Sequence, residues 1–444
     1  MAGRKLPIVA PADVHGRYHR ARHAVFALLI ALWAVLPWVR LAGHPAIFLD
    51  VERRRFFFFG TTFNSQDAWL LFFLATGIGF GLVFMTAIAG RVFCGWMCPH
   101  TVFLEAVYRR IERWIEGPRE RRLRAASAPW GAAKIARKVA VHSAYLLASY
   151  VIAHIVLSYF VSLPKMFEMV RTRPAEHPEA FAWAFGLTAI LYFDLAHFRE
   201  RLCTSFCPYG RLQGVLVDED SLMVGYDTRR GEPRGKATAK DRGDCVDCKR
   251  CVVVCPTGID IRQGPQLECI ACTACIDACD DVMERLGRAP GLVRYDSTRG
   301  LAGARRRFWR PRIVLYTALG LVGLAAATTA AKSRSDFEAV LLRAPGAPYV
   351  VTPDSVYNAF DLHLVNKRGT RERFRIGVDA GTDVTAQVEP AEVELEPLSG
   401  THVAVALRMP VERCRGDFRF RIRVERESGR EMREVQATFL GGGR

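Results

Sequence analysis

Acidic residues are scarce: 45 Asp and Glu stand against 62 Lys and Arg in 444 residues, a formal charge of +17. This excludes an acidic, disordered chain, and the hydrophobic share of 50% excludes a collagen-like one. Long apolar runs are missing after about residue 355, and cysteine is almost missing there, with Cys414 alone beyond Cys279. A single cysteine closes no intrachain disulfide, so the tail has no disulfide framework. No small-x-small cleavage site cleanly follows the first apolar stretch, which is therefore expected to be an uncleaved anchor, not a signal peptide. The positive excess admits two explanations, nucleic-acid binding and the positive-inside rule of membrane proteins. At about 100–200 residues per domain the length suggests about three folding units.

Five stretches are apolar over about 18 residues or more, at 24–42, 68–90, 139–163, 181–198 and 313–331. They read as membrane helices. In the fourth, Asp194 and His197 lie one turn apart near the end and share a face turned into the bundle. His142 and His154 in the third are about 120° apart on the helix surface, which argues against a haem ligand pair. Segment 1–23 carries five Lys and Arg and loop 91–138 eleven, whereas loops 43–67 and 164–180 carry three each. The first pair is expected to be cytoplasmic, which places 199–312 on the same side and 332–444 across the membrane. Arg305, Arg306, Arg307, Arg310 and Arg312 supply the inside flank of the fifth span. The charge is thereby explained by a lipid bilayer, and no nucleic-acid partner is expected.

Twelve of the thirteen cysteines fall between 94 and 279, in segments assigned to the reducing side, where structural disulfides are rare. Eight form two runs, Cys245-x2-Cys248-x2-Cys251-x3-Cys255-Pro256 and Cys269-x2-Cys272-x2-Cys275-x3-Cys279-Asp280. The first is the bacterial ferredoxin pattern, in which three closely spaced thiolates grip one cluster and the fourth crosses to the other. Two [4Fe–4S] clusters are expected. Cys245, Cys248, Cys251 and Cys279 would hold one, and Cys269, Cys272, Cys275 and Cys255 the other. Such tight loops bring amide N–H groups to the sulfurs. Asp280 replaces the usual proline without removing a ligand.

The remaining four form Cys94-x3-Cys98-Pro99-His100 and Cys203-x3-Cys207-Pro208-Tyr209, offset by 109 residues. The same offset carries the first two spans roughly onto the third and fourth. The membrane region therefore reads as two parallel hairpin repeats, each with a C-x3-CP motif, and the motifs are expected to face each other. If each pair lies on one helix, i and i+4 thiols share a face about 6 Å apart. Four thiolates select Cu(I), and Met97 or His100 would supplement the set. Arg91 and Arg201 would favour the thiolate forms.

The tail shows period-two alternation in 401–407 and 418–424, with further strands expected near 355–366, 372–378, 384–389, 392–398 and 431–440. Seven short strands in roughly 100 residues indicate an immunoglobulin-like β-sandwich. A lone thiol is a better reading of Cys414 than a copper ligand. The domain plan is a cytoplasmic N-terminus (1–23), a four-helix membrane region (24–198), and a cytoplasmic segment (199–312) with a ferredoxin-like domain at about 240–285. A fifth membrane helix (313–331) and a periplasmic immunoglobulin-like domain (332–444) complete it.

With these features the chain resembles the CcoG (FixG, RdxA) cytochrome c oxidase accessory proteins, a family of membrane polyferredoxins. The resemblance rests on Arg54-Arg-Phe-Phe-Phe-Phe-Gly60 with Gln66-Asp67, both C-x3-CP motifs, both four-cysteine runs, Cys255-Pro-Thr-Gly-Ile-Asp-Ile-Arg262 and Gly291-Leu-Val-Arg-Tyr295. It implies a protein of the bacterial inner membrane whose clusters pass electrons to Cu(II), giving Cu(I) for a cbb3-type oxidase, with Cys94, Cys98, Cys203 and Cys207 as the copper site. The implied partners are a cytoplasmic electron donor, a copper chaperone or transporter and oxidase assembly factors, with a homodimer also open. Relatives with similar motifs serve nitrate or nitrous oxide respiration, some as quinol-linked carriers. The sandwich and the lack of a large flavin-binding segment before the first span argue against that reading. A non-catalytic assembly scaffold is a third.

Overall fold

Pro37 cannot continue a helix, and the first one stops just before it: α1 spans Arg17–Val35. In this computed structural model, which describes residues 10–41, 43–64, 67–236, 242–429 and 431–441, the short strands β1 (Arg40–Leu41), β2 (His44–Pro45) and β3 (Ile47–Asp50) follow. The first expected span is helical only as far as Val35. Arg17, Arg20 and Arg22 occupy the start of α1, and its apolar remainder reaches about 18 Å at 1.5 Å per residue, short of a hydrocarbon core of about 30 Å. Among the described residues four helices are long and apolar enough to cross a membrane: Trp69–Ala89 within α2 (Ala68–Ala89), α7 (Ala132–Leu157), Pro178–Phe198, and α15 (Pro311–Lys332). The third of these comprises α9 (Pro178–Phe193) and a π-helical turn, Asp194–Phe198. Gln66 and residues 1–9 lie outside the described residues.

The chain divides into two compact units, Met1–Val51 with Leu71–Ala327 and Glu52–Leu70 with Thr328–Arg444. In the first, α3 (Val92–Trp96) and α4 (Pro99–Phe103) follow α2, then α5 (Arg109–Ile115) and α6 (Arg119–Ser127) lead to α7. After α8 (Leu163–Arg171) and α9, the chain passes through a second π turn, Leu202–Phe206, into α10 (Pro208–Leu216). The ferredoxin-like part is framed by the antiparallel pair β6 (Met223–Tyr226) and β7 (Val293–Asp296), each followed by a one-turn helix, α11 (Thr228–Gly231) and α14 (Thr298–Leu301). Its cysteine loops run into α12 (Arg250–Val253) and α13 (Ala274–Arg285). Val224, Ile261, Ile276, Met283, Leu292 and Val293 form its core.

The second unit is the sandwich, with strands β8 (Phe337–Arg343), β9 (Val350–Val351), β10 (Ser355–Asn366), β11 (Glu372–Asp379), β12 (Thr385–Glu389), β13 (Glu392–Leu395), β14 (Gly400–Pro410), β15 (Phe418–Arg426) and β16 (Met432–Phe439). One sheet runs β12-β14-β10-β8, with β9 on β10, and the other β13-β11-β15-β16. Alternation decides the faces: Phe420, Ile422 and Val424 are buried, while Arg419, Arg421 and Arg423 stay exposed. The seven expected strands are present, preceded by β8 and β9. The unit also takes in the 52–70 segment, where β4 (Arg55–Phe58) pairs with β5 (Thr61–Phe63) and Arg55 donates to the Leu398 carbonyl. Asp67, 1% exposed, accepts from Arg334 at 2.9 Å and from Lys367 at 3.0 Å. Cys414, half-buried, donates weakly to the Gly441 carbonyl.

Candidate iron–sulfur and thiol site

The two cysteine runs fold into matching loops. Asp247 and Lys249 flank Cys248 with φ of 49° and 55°, and Ala271 and Thr273 flank Cys272 with φ of 53° and 64°. Left-handed backbone costs a non-glycine residue about 1–2 kcal/mol, so each loop holds two strained positions. The strain turns amides inward: the Ala271 and Ala274 N–H groups donate to the Cys269 and Cys272 sulfurs. Cys245, Cys248, Cys251 and Cys279 line one small cavity, and Cys255, Cys269, Cys272 and Cys275, together with Cys251, line a second. Each cavity thus joins three thiols of one run to the fourth of the other. Four thiols around an apolar pocket, with amides aimed at sulfur, fit an iron–sulfur cluster.

Burial pushes these thiols up, Cys251 and Cys269 to about 11 and Cys272 and Cys279 to about 12, so metal must displace protons to bind. Around them, Arg262 bridges Asp260 at 2.7 Å and Asp247 at 2.5 Å. Asp277 accepts from the Tyr18 and His19 amides, which fixes the start of α1 on α13.

The C-x3-CP motifs lie directly against the second cavity. Cys94, Ile270 and Cys272 pack together, with Cys203, Tyr209 and Ala274 beside them. Gly95 is what allows this approach: a Cβ there would stand 2.5 Å from the Ile270 oxygen. Arg91 locks the arrangement, donating to Gln213 Oε1 (2.7 Å), the Gly210 carbonyl (2.9 Å) and the Cys269 carbonyl (3.2 Å). Arg22 donates to the Gly95 carbonyl at 2.7 Å. Trp96 donates to Tyr295, which donates to the Ala271 carbonyl at 3.0 Å.

Two expectations about these thiols are corrected. Neither pair lies along one helix, because Pro99 and Pro208 break it: Cys98 and Cys207 are extended residues preceding the prolines that open α4 and α10. Nor do arginines make thiolates here. Burial outweighs Arg91 and raises the Cys94 thiol; burial and the neighbouring Cys98, Cys94 and Cys207 push Cys203 up to about 12. Arg201 is exposed.

The motifs do face each other, and the space between them has polar walls that spacing did not reveal. Buried Gln213 accepts from Cys94 Sγ at 3.3 Å, and His100 Nδ1 lies 3.5 Å from Cys203 Sγ, with Asp194 Oδ2 3.5 Å from its Nε2. Gln213 Nε2, His100 Nε2 and Asp194 Oδ1 are buried and make no hydrogen bond among the described residues, His100 Nε2 having Asp194 Oδ2 as its near neighbour. Met97 is exposed, so His100 is the better-placed supplement. The 109-residue offset that pairs the cysteines also pairs His100 with Tyr209, a signal the sequence held. Asp194 turns to His100, whereas His197 stacks on His142 at 6.0 Å. His142 and His154 are occupied by the Tyr192 hydroxyl and the Tyr150 carbonyl, each at 2.9 Å.

Comparison with known proteins agrees with this division. Residues 198–298 match a 4Fe-4S dicluster domain, 68–119 a 4Fe-4S binding domain, and 327–442 the IG-like fold at the C-terminal of FixG. Protein RdxA of Cereibacter sphaeroides is 35% identical over 406 residues, 86% of this chain and 84% of that protein. The chain belongs to the FixG/RdxA family. Nitrogen fixation protein FixG of Rhizobium meliloti is 38% identical over 65% of this chain and 56% of its own length. Ferredoxin-type protein NapH of Haemophilus influenzae is 26% identical over 45% of this chain and 62% of its own. This FixG/RdxA member is an iron–sulfur electron-transfer protein with membrane helices and an immunoglobulin-like C-terminal fold.

Proposed function

We propose that this protein is a cupric reductase that makes Cu(I) for assembly of a cbb3-type cytochrome c oxidase, with copper as substrate. The observation that carries this is the contact of Cys94 and Cys203 with Ile270 and Cys272, which sets two soft donors, one from each C-x3-CP motif, against the wall of the second cysteine cavity. In this reading Cys245, Cys248, Cys251 and Cys279 hold one [4Fe–4S] cluster and Cys255, Cys269, Cys272 and Cys275 the other. When bound, the clusters supply single-electron storage and transfer. The chain's own groups then do the rest. Arg91 and Arg22 hold the C-x3-CP loops on the second cavity, Gln213 orients the Cys94 thiol, and His100, against Asp194, adds an imidazole to the thiols. Each Cu(II) takes one electron, and the thiolates of Cys94, Cys98, Cys203 and Cys207 favour the Cu(I) product.

In this reading loop 91–138 and segment 199–312 are separated by two crossings and share a side, which the packing of Cys94 on Cys272 supports. By its basic flanks that side is the cytoplasm, with the sandwich in the periplasm of a bacterial inner membrane, a cytoplasmic protein as electron donor, and a copper chaperone or transporter as acceptor. The test is anaerobic: reduce the holoprotein, remove excess reductant, add Cu(II) with a Cu(I)-specific chromophoric chelator, and follow cluster bleaching and Cu(I) together. One Cu(I) per electron lost, slowed in Cys94→Ser and Cys203→Ser at unchanged iron content, is expected. Clusters that stay reduced while Cu(II) persists overturn it and favour a quinol-linked carrier or a scaffold.

A further inference from the structure

The outer face of the β10–β14 ladder carries a side-chain group with no part in the electron-transfer site. His363 and His402 are direct partners across the two strands, and their imidazoles stack with centroids 4.5 Å apart and planes at 18°. Asp361 lies two residues before His363 and therefore on the same face, and its Oδ2 is 2.7 Å from His402 Nδ1. His402 is exposed, and His363 and Asp361 are half-buried. The carboxylate engages Nδ1 of His402 and so leaves Nε2 as that ring's donor atom, the tautomer a carboxylate imposes on metal-binding histidines.

We infer that His363 and His402, with Asp361 orienting the second, form a two-imidazole site for one borderline divalent cation, with Cu(II) bound most strongly. Imidazole pairs suit Cu(II), Ni(II) and Zn(II), and affinity at a given nitrogen site peaks at Cu(II) in the divalent series. No group of three His, Cys, Asp or Glu side chains converges on a metal position among the described residues, so the two imidazoles are the protein ligands and solvent completes the shell. Nitrogen ligation at about 2.0–2.1 Å brings the two donor atoms within about 4 Å of each other, which a tilt of the stacked rings provides. Antiparallel pairing fixes the two Cα positions, so the pair is preorganised by the sheet and not by a loop. The site shares no residue with the thiol site, and each stands or falls without the other.

The experiment uses the full-length protein in detergent with its clusters oxidised. Cu(II) is titrated to one equivalent, with Zn(II) as competitor, and followed by electron paramagnetic resonance. Expected is one Cu(II) per chain with superhyperfine coupling to two nitrogens. His363→Ala or His402→Ala should weaken it at least tenfold, and Asp361→Asn about tenfold, as loss of an orienting partner does. The signal should persist in Cys94→Ser/Cys203→Ser. His402→Gln, of similar size and polarity, separates ligation from strand packing and should bind as poorly as His402→Ala. A two-nitrogen signal that survives both alanine variants, its absence from the wild type, its loss in the cysteine variant alone, or restoration by glutamine overturns the inference.

Discussion

Gly95→Ala is the smallest change that strikes the junction between the C-x3-CP motifs and the second cysteine cavity. The new methyl carbon would lie 2.5 Å from the Ile270 oxygen and 2.7 Å from the Ala271 oxygen, where ordinary contact begins near 3.4 Å, so the loop must give way by about 0.9 Å. These are backbone atoms held by the Arg91–Cys269 and Tyr295–Ala271 hydrogen bonds, so no side chain can swing aside. Overpacking of this kind costs about 1–3 kcal/mol. Cys269 and Cys272 bracket the displaced residues, so the second cavity widens on the side facing Cys94. Expected are a lower thermal unfolding midpoint, normal iron content after anaerobic reconstitution, and cluster reoxidation by Cu(II) slower by at least tenfold, read by stopped-flow bleaching at matched cluster reduction. A larger residue at 95 should act more strongly. A Gly95→Ala protein with wild-type midpoint and wild-type reoxidation would refute the reasoning, because the contact would then be neither tight nor on the electron's path.

Three further outcomes follow from the same geometry. Thiols raised above their unfolded value of 9.0 to about 11–12 stabilise the metal-free fold fully below pH 9, and that stability is lost as pH rises toward 12. The melting temperature of the metal-free protein should fall above pH 9, its iron uptake should quicken with pH through proton release, and a flat profile would contradict both. Asp67→Ala leaves Arg334 and Lys367 without this carboxylate, and breaking a buried pair costs about 3–5 kcal/mol. Hydrogen exchange in the 52–70 segment and β8 should rise sharply, and unchanged protection would count against the pairing. Arg91→Lys, which keeps the charge but loses the guanidinium fork, should shift the reduction potential of the cluster beside Cys269 and leave the other unmoved in a redox titration.

The cluster loops were legible because their ligands are close in sequence and each gap reports a loop dimension. The C-x3-CP pairs were legible as a repeat but not in shape, since the spacing suggests one helix while Pro99 and Pro208 insist on a break. Gln213, Arg22 and Asp277 were invisible: each joins the site from far along the chain, and nothing local distinguishes a buried glutamine from an exposed one. The end of the first apolar helix was not legible, because residues 36–42 add hydropathy beyond a helix that stops before Pro37. Strand β8 was missed because it follows closely on a membrane helix and alternates only weakly. The sandwich was otherwise readable from period-two alternation, but its union with residues 52–70 rests on Asp67 and Arg55, whose partners lie hundreds of positions away.

Cys248 is exposed, whereas Cys272 at the matching place in the other loop is buried beneath the C-x3-CP segment. Oxygen and chelators therefore meet the two cofactors unequally. Aerobic handling should strip iron first from the cavity of Cys245, Cys248, Cys251 and Cys279. A preparation with half its iron would then be a nearly uniform species, its remaining cofactor the one beside the C-x3-CP thiols.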